Sequence, residues 1–131
     1  MKVKCGNSWR LVMVIGYIAT TFGLSSIKGG TLAHYISGYD LLLHGIEYAL
    51  LAGLMLWYWS HTEWGSSNFK RAGWIAVIIC AMVGGLNELW QSQVPGRFPA
   101  VDDEVANVVG SGVATVVYYY GKRGTVRELE S

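Results

Sequence analysis

The chain has 131 residues, enough for one domain; 52% are hydrophobic, 15% are charged, and the formal net charge is +1. This composition excludes a disordered segment, which needs low hydrophobicity, and a polyanion-binding domain, which needs a basic field. The apolar residues gather into blocks at 11–24, 41–59, 72–86 and 105–120, with most of the charge between them.

A hydrocarbon core of about 30 Å is crossed by roughly 20 helical residues. The blocks reach that length once their aromatic and polar ends are included, which predicts helices at about 9–26, 40–60, 72–91 and 103–120. The first element opens with MKVK and an apolar run, as a signal peptide does, but no small-x-small site precedes a soluble domain, so it is expected to stay. The second, LLLHGIEYALLAGLMLWYW, has no polar face to offer water. The third is WIAVIICAMVGGL followed by NELWQSQVPGR, an abrupt change from apolar to polar. Pro95 and Gly96 then turn the chain, because proline stops helices and glycine tolerates left-handed backbone. The fourth carries Asp103, Asn107, Gly110 and Ala114 at helical spacing, and residues 121–131 read as a polar tail.

The expected fold class is therefore an all-α membrane protein, a four-transmembrane-helix bundle forming a single domain over 1–131. Lys2, Lys4, Arg10, Lys70, Arg71, Lys122, Arg123 and Arg127 fall on one side of such a bundle, and Lys28 and Arg97 on the other. By the positive-inside rule both termini and the 121–131 tail are cytoplasmic, and the 25–39 and 92–102 loops face outward. Trp9, Trp57, Trp59, Trp74, Trp90 and Tyr118 to Tyr120 stand near span ends, as an aromatic belt does. Cys5 and Cys80 are placed too far apart for a disulfide.

With that topology, Asp40, Glu47, Glu88, Asp102, Asp103 and Glu104 all lie at the outer ends of helices. Asp40, His44, Glu47 and Tyr48 form an i, i+4, i+7 and i+8 series, so they share a face of the second helix, as Gly84, Glu88 and Gln91 do on the third. A charge near the bilayer centre costs about 2.5–3.5 kcal/mol, so these groups are expected to face one another or a wet cavity. Gly84, Gly85, Gly110 and Ala114 permit close helix approach. Arg97, with its planar fork of donors, is expected to fold back onto Glu88 or Asp103, or onto a ligand's phosphate oxygen.

D-x3-H-x3-Y in DLLLHGIEY, E-x2-Q and PGR in NELWQSQVPGR, and D-x3-N-x2-G in DEVANVVG resemble the successive motifs of the VanZ-like family. The likeness runs from Asp40 to about Ala114. It departs at Asn87, where an acid usually precedes the glutamate, at Ala114, usually glycine, and at Leu41, often lysine. The family takes its name from a bacterial membrane protein associated with resistance to teicoplanin, a lipid-tailed glycopeptide. The resemblance implies a multi-pass protein of the bacterial cytoplasmic membrane and a polar signature at Asp40, His44, Tyr48, Glu88, Gln91, Pro95, Gly96, Arg97, Asp103, Asn107 and Gly110.

Three function classes follow. The first is a binding protein whose outer site, built from Asp40, His44, Glu47, Tyr48, Glu88, Gln91, Arg97, Asp103 and Asn107, holds a membrane lipid or the head group of a lipid-linked envelope precursor. The second is an intramembrane hydrolase or transferase on such a substrate, with Glu88 or His44 as base and Arg97 stabilising negative charge. The third is a scaffold for a membrane-protein partner. Nucleic acid is not an expected partner. The excess of acids also points to a divalent cation, with Asp40, His44, Glu88 and Asp103 as candidate ligands; oxygen donors with one imidazole favour magnesium, calcium or manganese over zinc.

Overall fold

A computed structural model describes residues 8–27 and 39–129, with side chains placed as far as Lys122. Every regular element among the described residues is helical: α1 (Ser8–Ser25), α2 (Asp40–Ser60), α3 (Glu63–Ser67), α4 (Phe69–Gln91) and α5 (Val101–Leu129). Lys2, Lys4, Cys5 and Lys28, on which part of the expected topology rests, lie outside the described residues.

The helix ends differ from the expected ones in three places, each for a local reason. A short helix, α3, occupies the turn between the second and third blocks. Thr62 caps it, its hydroxyl accepting from the Gly65 N–H at 3.0 Å, the usual way of satisfying an orphan donor. The next helix starts at Phe69 rather than near residue 72, because the Ala72 N–H already finds the Asn68 carbonyl at 2.9 Å. Residues 121–129, expected as tail, continue α5 to Leu129. Hydropathy falls after Tyr120, but a helix needs backbone hydrogen bonds rather than apolar side chains, and no proline interrupts them.

The helix α2 is the hub, packed most closely along α5 and also against α1 and α4. Glycine permits the α2–α5 approach: a Cβ at Gly110 would run into the Gly45 carbonyl and lie 2.9 Å from its Cα. The apolar core lies away from the polar ends and holds Leu51, Ala52, Met55, Leu56, Ala72, Ala76 and Cys80, all buried. The outward faces also carry many large apolar side chains. Val12, Ile15, Leu42, Leu50, Ile78, Met82, Val109 and Val117 are exposed, while Asn87, Asn107 and Ser111 are sealed inside.

By length and composition, α2 and α4 suffice to cross a membrane, and only 33% and 39% of their apolar windows are buried within the protein. Helices of a water-soluble core would be covered far more fully.

Candidate functional site

Asp40 occupies the first turn of α2, and His44 and Tyr48 follow one and two turns later on the face turned to α5. Across from them, Asp103 and Asn107 stand one turn apart on α5. The face of α4 that completes the set carries Gly84, Asn87, Glu88 and Gln91, all buried.

Three side chains converge most tightly. Asp40, His44 and Asp103 each offer a ligand atom within 4.8 Å of the other two, with His44 and Asp103 buried. His44 Nε2 is 3.6 Å from Asp103 Oδ2, an ion pair when the imidazole is protonated. Among the expected metal candidates, Glu88 stands outside this group for a definite reason. Its Oε2 accepts the Ala100 N–H at 3.1 Å, one of the orphan donors at the start of α5, where a carboxylate also meets the positive end of the helix dipole. Glu88 keeps electrostatic contact with Asp103, His44 and Glu104.

Arg97 meets the expectation in part. Its hydrogen bonds go elsewhere, through Nε to the Ile27 carbonyl at 3.3 Å and through Nη1 to Gln91 Oε1 at 3.5 Å, while its charge still acts on Asp103. Gln91 Nε2 in turn donates to Ser25 Oγ at 3.3 Å, and Trp90 Nε1 to Ser26 Oγ at 2.8 Å. Gln91, Trp90 and Arg97 thus clasp the end of α1 to the end of α4. Gly96, at φ 82°, supplies the left-handed turn that aims Arg97 this way. Pro95 precedes it in an exposed position. Glu47 is half-buried and outside the three-residue group; its backbone carbonyl accepts from Tyr17 Oη at 3.0 Å.

Three more residues join the site: Glu104, expected only as one of the outer acids, and Asn87 and Ser111, which carry no charge to mark them. Glu104 turns inward beside Gly84, and its Oε2 accepts from Asn107 Nδ2 at 3.2 Å. Asn87, noted only as a departure from the family pattern, is 1% exposed and lies beside the Tyr48 hydroxyl. Ser111 extends the Asp103–Asn107 face by another turn and is fully buried. The i+4 spacing from Asn107 was the available signal for Ser111.

The arrangement leaves polar atoms stranded. Among the described residues, His44 Nδ1, Asn87 Oδ1, Glu88 Oε1 and Asn107 Oδ1 are buried without a hydrogen-bond partner, while the buried Tyr48 hydroxyl has the Asn87 side chain beside it. Native interiors contain few such atoms, and each costs about 1–3 kcal/mol when left unpaired. Here they come from all three helices. Most are acceptors, so the interior calls for donors: hydroxyls, ammonium groups or a hydrated cation.

No protein-family model, curated protein or solved structure matches this chain.

Proposed function

We propose that this is a VanZ-like, multi-pass protein of the bacterial cytoplasmic membrane whose polar interior binds the hydroxyl- or amine-bearing head of a cell-envelope amphiphile. In this reading α1, α2, α4 and α5 cross the membrane with both termini cytoplasmic, and the Asp40, Glu88 and Asp103 end faces outward. The exposed apolar faces of all four helices and the eight-to-two division of basic residues support that placement.

The observation that carries the ligand reading is the set of stranded atoms on His44, Asn87, Glu88 and Asn107, with the buried Tyr48 hydroxyl among them. Apolar side chains would hold the three helices together at lower cost, so buried acceptors at this density are better explained by what they receive. A sugar or amino head group supplies several donors at once. A bare phosphate supplies none and would meet Asp40, Glu88, Asp103 and Glu104 at close range.

A hydrated divalent cation is a second occupant that one observation favours, the approach of Asp40, His44 and Asp103 within 4.8 Å. Two carboxylates and an imidazole suit magnesium, calcium or manganese retaining part of their water shell. The intramembrane-enzyme reading draws less support. Glu88 spends one oxygen on Ala100, and Arg97 is committed to Ile27 and Gln91. A link to teicoplanin resistance rests on the motif resemblance alone.

The test is ligand-dependent stabilisation of the purified protein. Lipid-linked saccharide precursors, or magnesium, calcium and manganese, are expected to raise the unfolding temperature, since anything binding only the folded state stabilises it. Tyr48→Phe and Asn107→Leu should remove the precursor effect, and Asp40→Asn the cation effect. A thermal profile indifferent to all these additions would leave the scaffold reading in place.

A further inference from the structure

At the other end of α4 and α5 from the polar site, a groove of about 500 Å³ opens between the two helices. Its walls include Gly73, Trp74 and Val77 of α4 and Gly112, Thr115 and Val116 of α5, with Lys70 at one end and no carboxylate in the lining. Glycine makes the space. A Cβ built on Gly112 meets nothing within 4 Å, so the volume beside it is open. Gly73 is the opposite case, closing the groove floor with its Cβ position 2.7 Å from Thr115 Cγ2. The Thr115 hydroxyl is buried in this wall without a hydrogen-bond partner among the described residues.

Cations and aromatics crowd the same end. Lys122 Nζ stands 5.2 Å over the Phe69 ring, which also lines the groove and stacks on Tyr118 and Tyr119. Trp74 and Tyr120 are largely exposed, as interfacial aromatics are.

We infer that this groove is a binding site for an anionic phospholipid, its acyl chain lying between Gly73 and Gly112 and its phosphate between Lys70 and Lys122. The charge pattern selects the occupant. An apolar slot accepts any acyl chain, but the Lys70 ammonium in the lining and the Lys122 ammonium over the neighbouring Phe69 ring, with no acid in the lining, favour a net negative head over a zwitterionic one. The site rests on the membrane reading above, and that orientation puts the groove in the cytoplasmic leaflet, where anionic lipids create a negative surface potential.

The experiment uses the full chain in phosphatidylcholine nanodiscs containing a small fraction of phosphatidylglycerol, with one lipid or the other carrying brominated acyl chains. Quenching assigned to Trp74, by subtraction of the Trp74→Phe variant, reports occupancy of the groove. Brominated phosphatidylglycerol should quench at a mole fraction roughly 25-fold lower than brominated phosphatidylcholine, and each of Lys70→Gln and Lys122→Gln should weaken that preference by roughly fivefold. Gly112→Leu, which fills open space, should remove quenching by both lipids at low mole fraction. Equal quenching by the two lipids, or a preference untouched by the lysine substitutions, overturns the site. A chain that does not enter the discs overturns the membrane reading instead, so the two failures are distinguishable.

Discussion

The two halves of the α2–α4–α5 bundle are made from the same helices at similar spacing, yet their interiors obey different rules. Around Leu51, Met55, Leu56, Ala76 and Cys80 the core is apolar. Its one thiol donates to the Tyr48 carbonyl at 3.7 Å, and nearby Tyr118 Oη finds Ser60 Oγ at 3.2 Å. Around His44, Asn87 and Asn107 the interior is polar and leaves acceptors stranded. The first half is what holding helices together requires. The second contains groups that cohesion does not require, and the proposed head-group site rests on this contrast.

The contrast can be broken by substitution. Leu56→Ala, in the apolar half, should cost the most, about 2–5 kcal/mol as cavity and lost packing, read by denaturant titration in micelles. If it instead cost no more than the polar-half variants, the division would be unfounded.

Gly110→Ala comes next, at about 1–3 kcal/mol, because the new methyl meets the Gly45 backbone, which cannot yield as a side chain can. Gly45→Ala should be near neutral, its Cβ standing an ordinary 3.6 Å from the Ala106 carbonyl. Thermal unfolding of the pair tests whether contact is as one-sided as it looks.

Glu88→Gln should lower stability by about 1 kcal/mol, since the amide oxygen still accepts from Ala100 but brings no charge to the start of α5. Glu88→Leu should cost more. Equal losses would show that the hydrogen bond contributes nothing.

The smallest effect on stability, and the sharpest test, is Tyr48→Phe. Removing a buried hydroxyl whose polar neighbour is the Asn87 side chain should change stability by no more than about 1 kcal/mol. Head-group-dependent stabilisation should be lost in the same variant. A marked destabilisation would move Tyr48 into the cohesive half.

Helical periodicity made the inward turn of Asp40, His44, Asp103 and Asn107 legible, because residues three and four apart share a face whatever the tertiary fold. It made Glu88's burial legible too, but not its partner. The Ala100 N–H is twelve residues away, beyond a loop whose path no spacing rule describes. The hydrogen-bond partners of Arg97 are hidden for the same reason. Charge alone suggests a carboxylate, whereas the turn at Gly96 delivers the guanidinium to the end of α1, a neighbour known only from the fold. The short helix α3 was missed because five residues carry too little periodicity to register. The extension of α5 to Leu129 is not legible in hydropathy, because apolar content marks where a helix can meet lipid and not where its backbone hydrogen bonds end.

The clasp between residues 25–27 and 90–97 also bears on how the protein is made. The Trp90–Ser26, Gln91–Ser25 and Arg97–Ile27 hydrogen bonds span 64, 66 and 70 residues of chain. None can form before the ribosome has passed Trp90, and the last waits for Arg97. During synthesis the end of α1 therefore goes without these partners until α4 has emerged, so a chain truncated within α4 lacks the final fastening of its first helix.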